Sequence, residues 1–300
     1  MPDTPSLLAV LLGHAPVLGR GPLATIAVEA AEILLLVFVM MVAVDLLDVW
    51  LRGKLARFVG GSVVTECLAG AVLGAVPGCS GVFLSVTLYA HGAFGFGGLV
   101  AAMVATTGDD AFVILSLLVE RGMWGSAAAL FGTVIGLGFA GGVLAHHVAA
   151  RRGAGAYRCP VPSFHPGFES VGHFLREHVG HHILRKHMPR LALWTIGALV
   201  LVKLFEQYEP QLRSAHPSPA VALAAALGVS LLPTSGPHQV FATFYVNGLV
   251  PFAALLANSV AQNGHGLLPL LSVSWRDAVR VKVATLLLGL VAGIAALLLA

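Results

Sequence analysis

"VPGCSGVFLSVTLYAHGAFGFGGLVAAMVATTGDDAFVILS" (76–116) lies without gaps over "LPTSGPHQVFATFYVNGLVPFAALLANSVAQNGHGLLPLLS" (232–272) at a constant offset of 156 residues. Pro77/Pro233, Thr87/Thr243, Tyr89/Tyr245, Gly92/Gly248, Phe96/Phe252, Gly108/Gly264 and Ser116/Ser272 are identical pairs. Low-complexity apolar sequence produces chance matches, but not Tyr, Pro and Phe together in one register. The chain is therefore read as two copies of one unit, and the rest of the sequence tells what that unit is.

The environment of the repeat is lipid. The 300 residues are 57% hydrophobic and 10% charged, with mean hydropathy +0.89. Soluble domains carry about 25% charged residues. Ser214–Trp275 contains no Asp, Glu, Lys or Arg over 62 residues. An all-α polytopic membrane protein is expected. Ten apolar spans are read at about 24–46, 58–76, 78–92, 94–119, 123–149, 190–206, 218–233, 235–249, 250–274 and 277–299. The third, seventh and eighth are short for the roughly 20 residues that cross a bilayer. The fourth and ninth are interrupted by polar, Gly-containing stretches. Such spans are tolerated where protein or water satisfies the freed backbone groups. The first 19 residues hold no Lys or Arg and do not read as a cleaved signal peptide.

Domain organisation follows from the count. Residues 1–149 form a first five-span repeat, 150–188 a His-rich loop, and 189–300 a second five-span repeat. Five is odd, so the second copy enters the membrane from the opposite side. This predicts an inverted repeat with broken helices at the midplane, where such proteins bind their substrates. Alternate loops differ in charge. One side carries Arg52, Lys54, Arg57, Arg151, Arg152, Arg158, Arg176, Arg185, Lys186, Arg190, Arg276, Arg280 and Lys282, which is 13 of the 17 Lys and Arg. By the positive-inside rule that side is cytoplasmic in the cell membrane, with both termini outside and the His-rich loop inside.

The candidate chemistry sits in the interruptions. Asp109 follows Gly108, and His265 follows the equivalent Gly264. Asp110, Asn258, Gln262 and Asn263 lie around them. Carboxylates, an imidazole and side-chain amides in an apolar envelope suit Mn²⁺, Zn²⁺ or Fe²⁺. A bound cation offsets the cost of a carboxylate at membrane depth. The alternative is that Asp109 and Asp110 only cap the second half of a broken helix. A second matched pair, "PGCS" (77–80) and "PTSGPH" (233–238), offers Cys79 and His238 as ligands; a plain helix break with a packed small residue, or a core histidine, would leave the same residues. Glu66 in the second span is a proton-relay or metal-transit candidate, or else an acid hydrogen-bonded inside the bundle. His173, His178, His181 and His182 belong to a stretch holding eight of the thirteen histidines. Such a tract collects metal weakly, or forms a solvated helix on the membrane surface.

These motifs, "VPGCSG…TLYAHGAFGFGGLVAAMVATTGDDAF" with "LPTSGPHQVFATFYVNGLVPFAALLANSVAQNGHGLLPLL", resemble the family of ten-transmembrane heavy-metal exporters, whose members are also called manganese transporters or arsenic efflux proteins. The resemblance covers nearly the whole chain. It implies export of a divalent metal, with Asp109 in the first Gly-Asp motif. His265 and Thr234–Ser235 depart from the family pattern, and this tilts the expected preference towards Zn²⁺.

The leading expectation is a proton-coupled secondary transporter for Mn²⁺, Zn²⁺ or Fe²⁺. Its partners are the bilayer, metal ions and protons, with assembly of identical copies left open. No tightly bound cofactor is expected beyond the transported ion. No GxxxxGK[ST] motif is present to use ATP. Nucleic-acid binding is excluded, because no basic residues interleave with aromatics on a polar domain. An arsenical or oxyanion carrier is the alternative, disfavoured because the midplane reads as acidic and free of Arg or Lys. An intramembrane lipid-phosphate enzyme lacks the basic residue that phosphate chemistry needs, so an enzyme is not expected.

Overall fold

In the computed structural model the two copies start and stop their central helices at matched residues. The structure describes residues 62–77, 80–90, 92–106, 110–151, 217–233 and 236–299, with scattered positions in 26–42 and 180–200. The described elements of the first copy are α1 (Val63–Ala75), α2 (Ser80–Ala90), α3 (Phe96–Ala105), α4 (Asp110–Glu120) and α5 (Trp124–Arg151). The second copy supplies α6 (Pro219–Val229), α7 (Gly236–Val246), α8 (Phe252–Ala261), a 3₁₀ turn at Gly264–Gly266, α9 (Leu267–Val273) and α10 (Trp275–Leu299). α2 and α7 match end to end at the 156 offset, and so do α3 and α8. No strand occurs among the described residues.

The turns match as well. Gly92 (φ +74°) and Gly248 (φ +72°) are equivalent glycines in the left-handed region. After α2, the N–H of Gly92 donates to Tyr89 O and that of Ala93 to Leu88 O. After α7, Gly248 donates to Tyr245 O and Leu249 to Phe244 O. This closes each helix on its own carbonyls, and a side chain at either glycine would strain the backbone.

α3 and α8 are the axis of the fold. Each has 10 residues, about 15 Å, half the hydrocarbon core. Every residue of α3 from Gly97 to Ala105 is buried, as is every residue of α8 from Ala253 to Ala261. A half-length helix with no lipid contact is what the absence of water in the bilayer permits. Small residues bring the neighbours in. A Cβ on Gly138 of α5 would stand 2.8 Å from Ala101 O and 2.9 Å from the Ala105 Cβ. On Gly289 of α10 it would stand 2.7 Å from Ala257 O and 2.9 Å from the Ala261 Cβ. Ala101/Ala257 and Ala105/Ala261 are repeat pairs, so α5 and α10 are equivalent too, at an offset of 151. Trp124/Trp275 and Gly142/Gly293 share that offset. The second copy is thus five residues shorter between its broken helix and its last helix.

The contacts between copies are reciprocal. α4 packs on α7, and its counterpart α9 packs on α2; α5 packs on α8, and α10 on α3. The Tyr89 hydroxyl donates to Asp277 Oδ2 at 3.0 Å. The matched pair, Tyr245 and Ser126, is joined hydroxyl to hydroxyl at 2.8 Å.

α5 and α10 are the two helices long and apolar enough to cross a membrane among the described residues. α10 is built inside out. Its exposed face is Val279, Val283, Leu287, Val291, Ile294 and Leu298, whereas its buried face carries Asp277, Lys282 and Thr285. That pattern fits lipid outside and polar contacts inside. It also corrects the sequence reading of Lys282 as a loop charge. Lys282 is 9% exposed and belongs to the interior.

Candidate metal centre at the helix breaks

α3 and α8 both end in an extended C-cap, Thr106 (φ −78°, ψ 128°) and Gln262 (φ −70°, ψ 151°). Each cap N–H bonds back to the equivalent carbonyl, Ala102 O or Asn258 O. The two caps then touch. Gln262 Nε2 donates to Thr106 O at 3.4 Å, joining residues 156 apart. The next residue, Asn263, donates from Nδ2 to Met103 O at 3.1 Å. The interrupted end of α8 therefore hooks over the end of α3. Thr106, Asn258, Gln262 and Asn263 are all buried, so each backbone group freed by the break needs a protein partner.

The amides are engaged at both ends. Gln262 Oε1 accepts from Gly264 N at 3.1 Å, which sets the turn carrying His265. Asn263 Oδ1 accepts from Thr285 Oγ1 at 3.4 Å. Asn258 Nδ2 donates to Ala226 O at 2.8 Å, so its Oδ1 is the acceptor facing His238 Nδ1 at 3.2 Å. Nδ1 is then the donor, the arrangement in metal-binding histidines whose other nitrogen is held by a carbonyl oxygen. His238 is fully buried at the start of α7. His265 is half-buried in the 3₁₀ turn, after Gly264 at φ +50°.

Several expected residues lie outside the description. Asp109, Cys79, His173, His178, His181 and His182 are not among the described residues. Asp110 opens α4, but its side chain is not described. Among the described residues no group of three His, Cys, Asp or Glu side chains comes together. The structure brings together Asn258 with His238, and Gln262 and Asn263 with the end of α3.

Glu66 lies at the other end of α3. Its Oε1 accepts from Gly95 N at 3.0 Å and Gly98 N at 2.8 Å, the N-cap and N3 amides of that helix. A Cβ on Gly98 would sit 2.8 Å from Glu66 Cγ, so glycine there makes room for the cap. A carboxylate on two amides at a positive helix end is well placed electrostatically. At about 1.5 Å per residue, this is some 15 Å from the break.

Two functional-looking groups escaped the sequence reading. Lys282 Nζ donates to Ser230 O at 2.8 Å and to Ala261 O at 3.1 Å. Ser230 is the C-cap of α6, and Ala261 is the last residue of α8. The ammonium therefore sits at two negative helix ends beside the break, where the sequence reading placed no Lys or Arg. Asp277 accepts from Tyr89, from Ser274 Oγ at 2.9 Å and from Arg280 Nη1 at 2.9 Å. The "SWRD" at 274–277 is a helix-capping pattern that could have revealed it.

The chain matches the model of a family described as "Putative, 10TM heavy-metal exporter" over residues 27–157 and 173–299. The chain belongs to this family. Membership makes this exporter-family protein a multi-span membrane protein of the heavy-metal efflux class, with the bilayer and the moved metal ion as its partners. The two matched stretches contain the two copies of the repeat and leave the middle of the His-rich loop between them. No curated protein and no solved structure matches the chain.

Proposed function

We propose that the protein is a proton-coupled carrier that exports a divalent cation, Mn²⁺ or Zn²⁺, through a site between the two helix breaks. The observation that carries this is a matched pair of contacts. A Cβ on Gly266, at the start of α9, would meet the Val82 side chain of α2 at 2.6 Å. In the other copy the equivalent residues are Asp110 and His238. Where one copy brings glycine against valine, the other pairs a carboxylate position with an imidazole position. Carboxylate and neutral imidazole together suit a first-row divalent ion.

In this reading Asp109, Asp110, His238 and His265 are the ligands. Asn258 orients His238, and Gln262 and Asn263 hold the two breaks together. Cys79, next to the first proline break, is an accessory ligand. Glu66 serves at the mouth near the start of α3, where ions enter or leave. Deprotonated ligands bind metal, so loading releases protons and unloading takes them up. The reciprocal contacts between copies support a pseudo-two-fold relation, because such an interface puts residue i on j and j on i. With five spans per copy, the axis lies in the membrane plane and the second copy is inverted.

Proteoliposomes decide between substrates. The expected result is saturable Mn²⁺ or Zn²⁺ flux that acidifies or alkalinises the lumen in step with metal movement. A second reading, an arsenical or oxyanion carrier, is favoured by one observation: the buried ammonium of Lys282 beside the break. Arsenite flux with no metal flux would establish that reading instead. The His tract gives a separate expectation. If it collects metal, replacing His173, His178, His181 and His182 together raises the half-saturating metal concentration several-fold and leaves the maximal rate within about twofold, since loose tracts bind weakly. Loss of the maximal rate at normal protein level would put the tract in the permeation path.

A further inference from the structure

The two copies differ at the corner around Lys282. At the 151 offset its counterpart is Phe131, and the counterpart of Thr285 is Val134. Val134 is fully buried in the apolar core, and Phe131 packs against that core. Ser230 corresponds to Gly74, and Gly74 lies so close to the backbone of Ala102 that no side chain fits between α1 and α3. The first copy thus seals this corner with glycine and apolar side chains. The second opens it and lines it with oxygens: Ser230 O, Ala261 O, Thr285 Oγ1 and Asn263 Oδ1. Thr285 Oγ1 is 3.2 Å from Ala261 O. A buried ammonium needs a full set of acceptors, and this corner supplies carbonyls at the negative ends of two helices, with no carboxylate bonded to the ammonium among the described residues.

The three interior acids singled out in the first copy have no acidic counterpart in the second. Glu66, Asp109 and Asp110 correspond to Ala222, His265 and Gly266. The second copy's own buried acid, Asp277, lies at the start of α10 and is bonded by Tyr89 and Ser274. Among the described residues the second holds Lys282 on the adjoining side of the break: Ala261 carries the ammonium, and the next residue, Gln262, touches Thr106.

We propose that Lys282 is a tethered cation that fills the second copy's oxygen-lined corner, so that the transported divalent ion binds in the one site between the breaks and not in that corner. This rests on the metal-carrier reading above. Two cations in a low-dielectric interior repel strongly, so the fixed ammonium limits loading to one metal per chain and weakens its binding enough to allow release. Lys282 is a specificity-determining residue that acts through charge; it is not a ligand.

The test is equilibrium dialysis of the purified full-length protein with Mn²⁺ and with Zn²⁺. Wild type is expected to bind one ion. Lys282→Met, which keeps length and removes charge, is expected to bind at least tenfold more tightly or to take a second ion. Lys282→Arg keeps the charge and is expected to stay within threefold of wild type. A purely structural lysine would give weaker binding on replacement. Unchanged or weaker binding by folded Lys282→Met therefore overturns the proposal. Lys282→Ala addresses misfolding. Its thermal stability is expected to rise by several degrees in methylammonium chloride relative to sodium chloride, with wild type unaffected, because the free cation refills the corner. Equal stability in the two salts overturns the tethered-cation assignment. If wild type binds no divalent ion, the carrier reading fails, and methylammonium still decides whether the corner is a cation cradle.

Discussion

Asp109→Asn is expected to lower metal transport by on the order of 100-fold or more while leaving the protein folded. The size follows from comparison. Losing a group that merely supports a metal ligand costs about 10- to 100-fold, so losing a charged ligand costs at least as much. Asn keeps the shape and hydrogen-bonding capacity of the side chain, and it caps helices as well as Asp does. A cap at the start of α4 would survive the exchange, and a ligand would not. Residual transport should also lose its proton coupling, since one of the groups that exchange a proton for metal is gone. Flux assays beside a thermal unfolding curve check both parts. Wild-type Mn²⁺ and Zn²⁺ flux in Asp109→Asn would reduce the carboxylates of "TTGDDAF" to helix caps and move the site towards Glu66, Cys79 and His238.

The second large effect is on stability. Asp277→Ala is expected to destabilise the protein by about 2–4 kcal/mol, the sum of a lost buried hydrogen bond to a charged acceptor and a lost helix cap. Its carboxylate is held by Tyr89 of the other copy, by Ser274 at the helix start and by Arg280. The Arg280 side chain is 53% exposed, so that ion pair adds under about 1 kcal/mol. The loss comes chiefly from the hydrogen bond that the fully buried Tyr89 hydroxyl gives the carboxylate and from the missing cap. Ser126→Ala removes the matched contact to Tyr245 in a half-buried setting and is expected to cost only about 1 kcal/mol. Thermal unfolding of both variants in one detergent checks the contrast. Equal losses would mean that the two inter-copy contacts carry equal weight and that the charge of Asp277 is immaterial.

The central helices were legible because the repeat constrains them twice. An apolar run such as Phe96–Ala105 has no periodicity to mark its ends, but its partner Phe252–Ala261 ends at the same position, where Thr106 and Gln262 interrupt both. Gly92 and Gly248 announced the turns in the same way. The last helix of each copy escaped the comparison, since a five-residue shortening shifts its register from 156 to 151. Lys282 escaped for a physical reason. It lies seven residues beyond Trp275 and close to Arg276 and Arg280, so its charge reads as part of a loop. Its burial shows only when the helix is turned inside out, with the small and polar residues Ala278, Lys282, Thr285 and Gly289 on the protein side. Sequence also suggested Asn258, Gln262 and Asn263 as ligands from their chemistry. Their hydrogen bonds to Ala226, Thr106 and Met103 depend on which chain segments meet, and no local pattern encodes that. The bonds of Glu66 to the Gly95 and Gly98 amides likewise depend on how α1 meets α3.

The position of the bound metal is the most direct test. Crystals of the wild-type protein soaked in Mn²⁺ or Zn²⁺, measured at the absorption edge of the metal, would locate it by anomalous scattering. One strong peak is expected within coordinating distance of Asp109 or Asp110 and His238, between the end of α3 and the turn at Gly264–Gly266, lost in Asp109→Asn. A fully occupied peak elsewhere in the membrane-spanning part, with nothing between the two breaks, would contradict a metal site there.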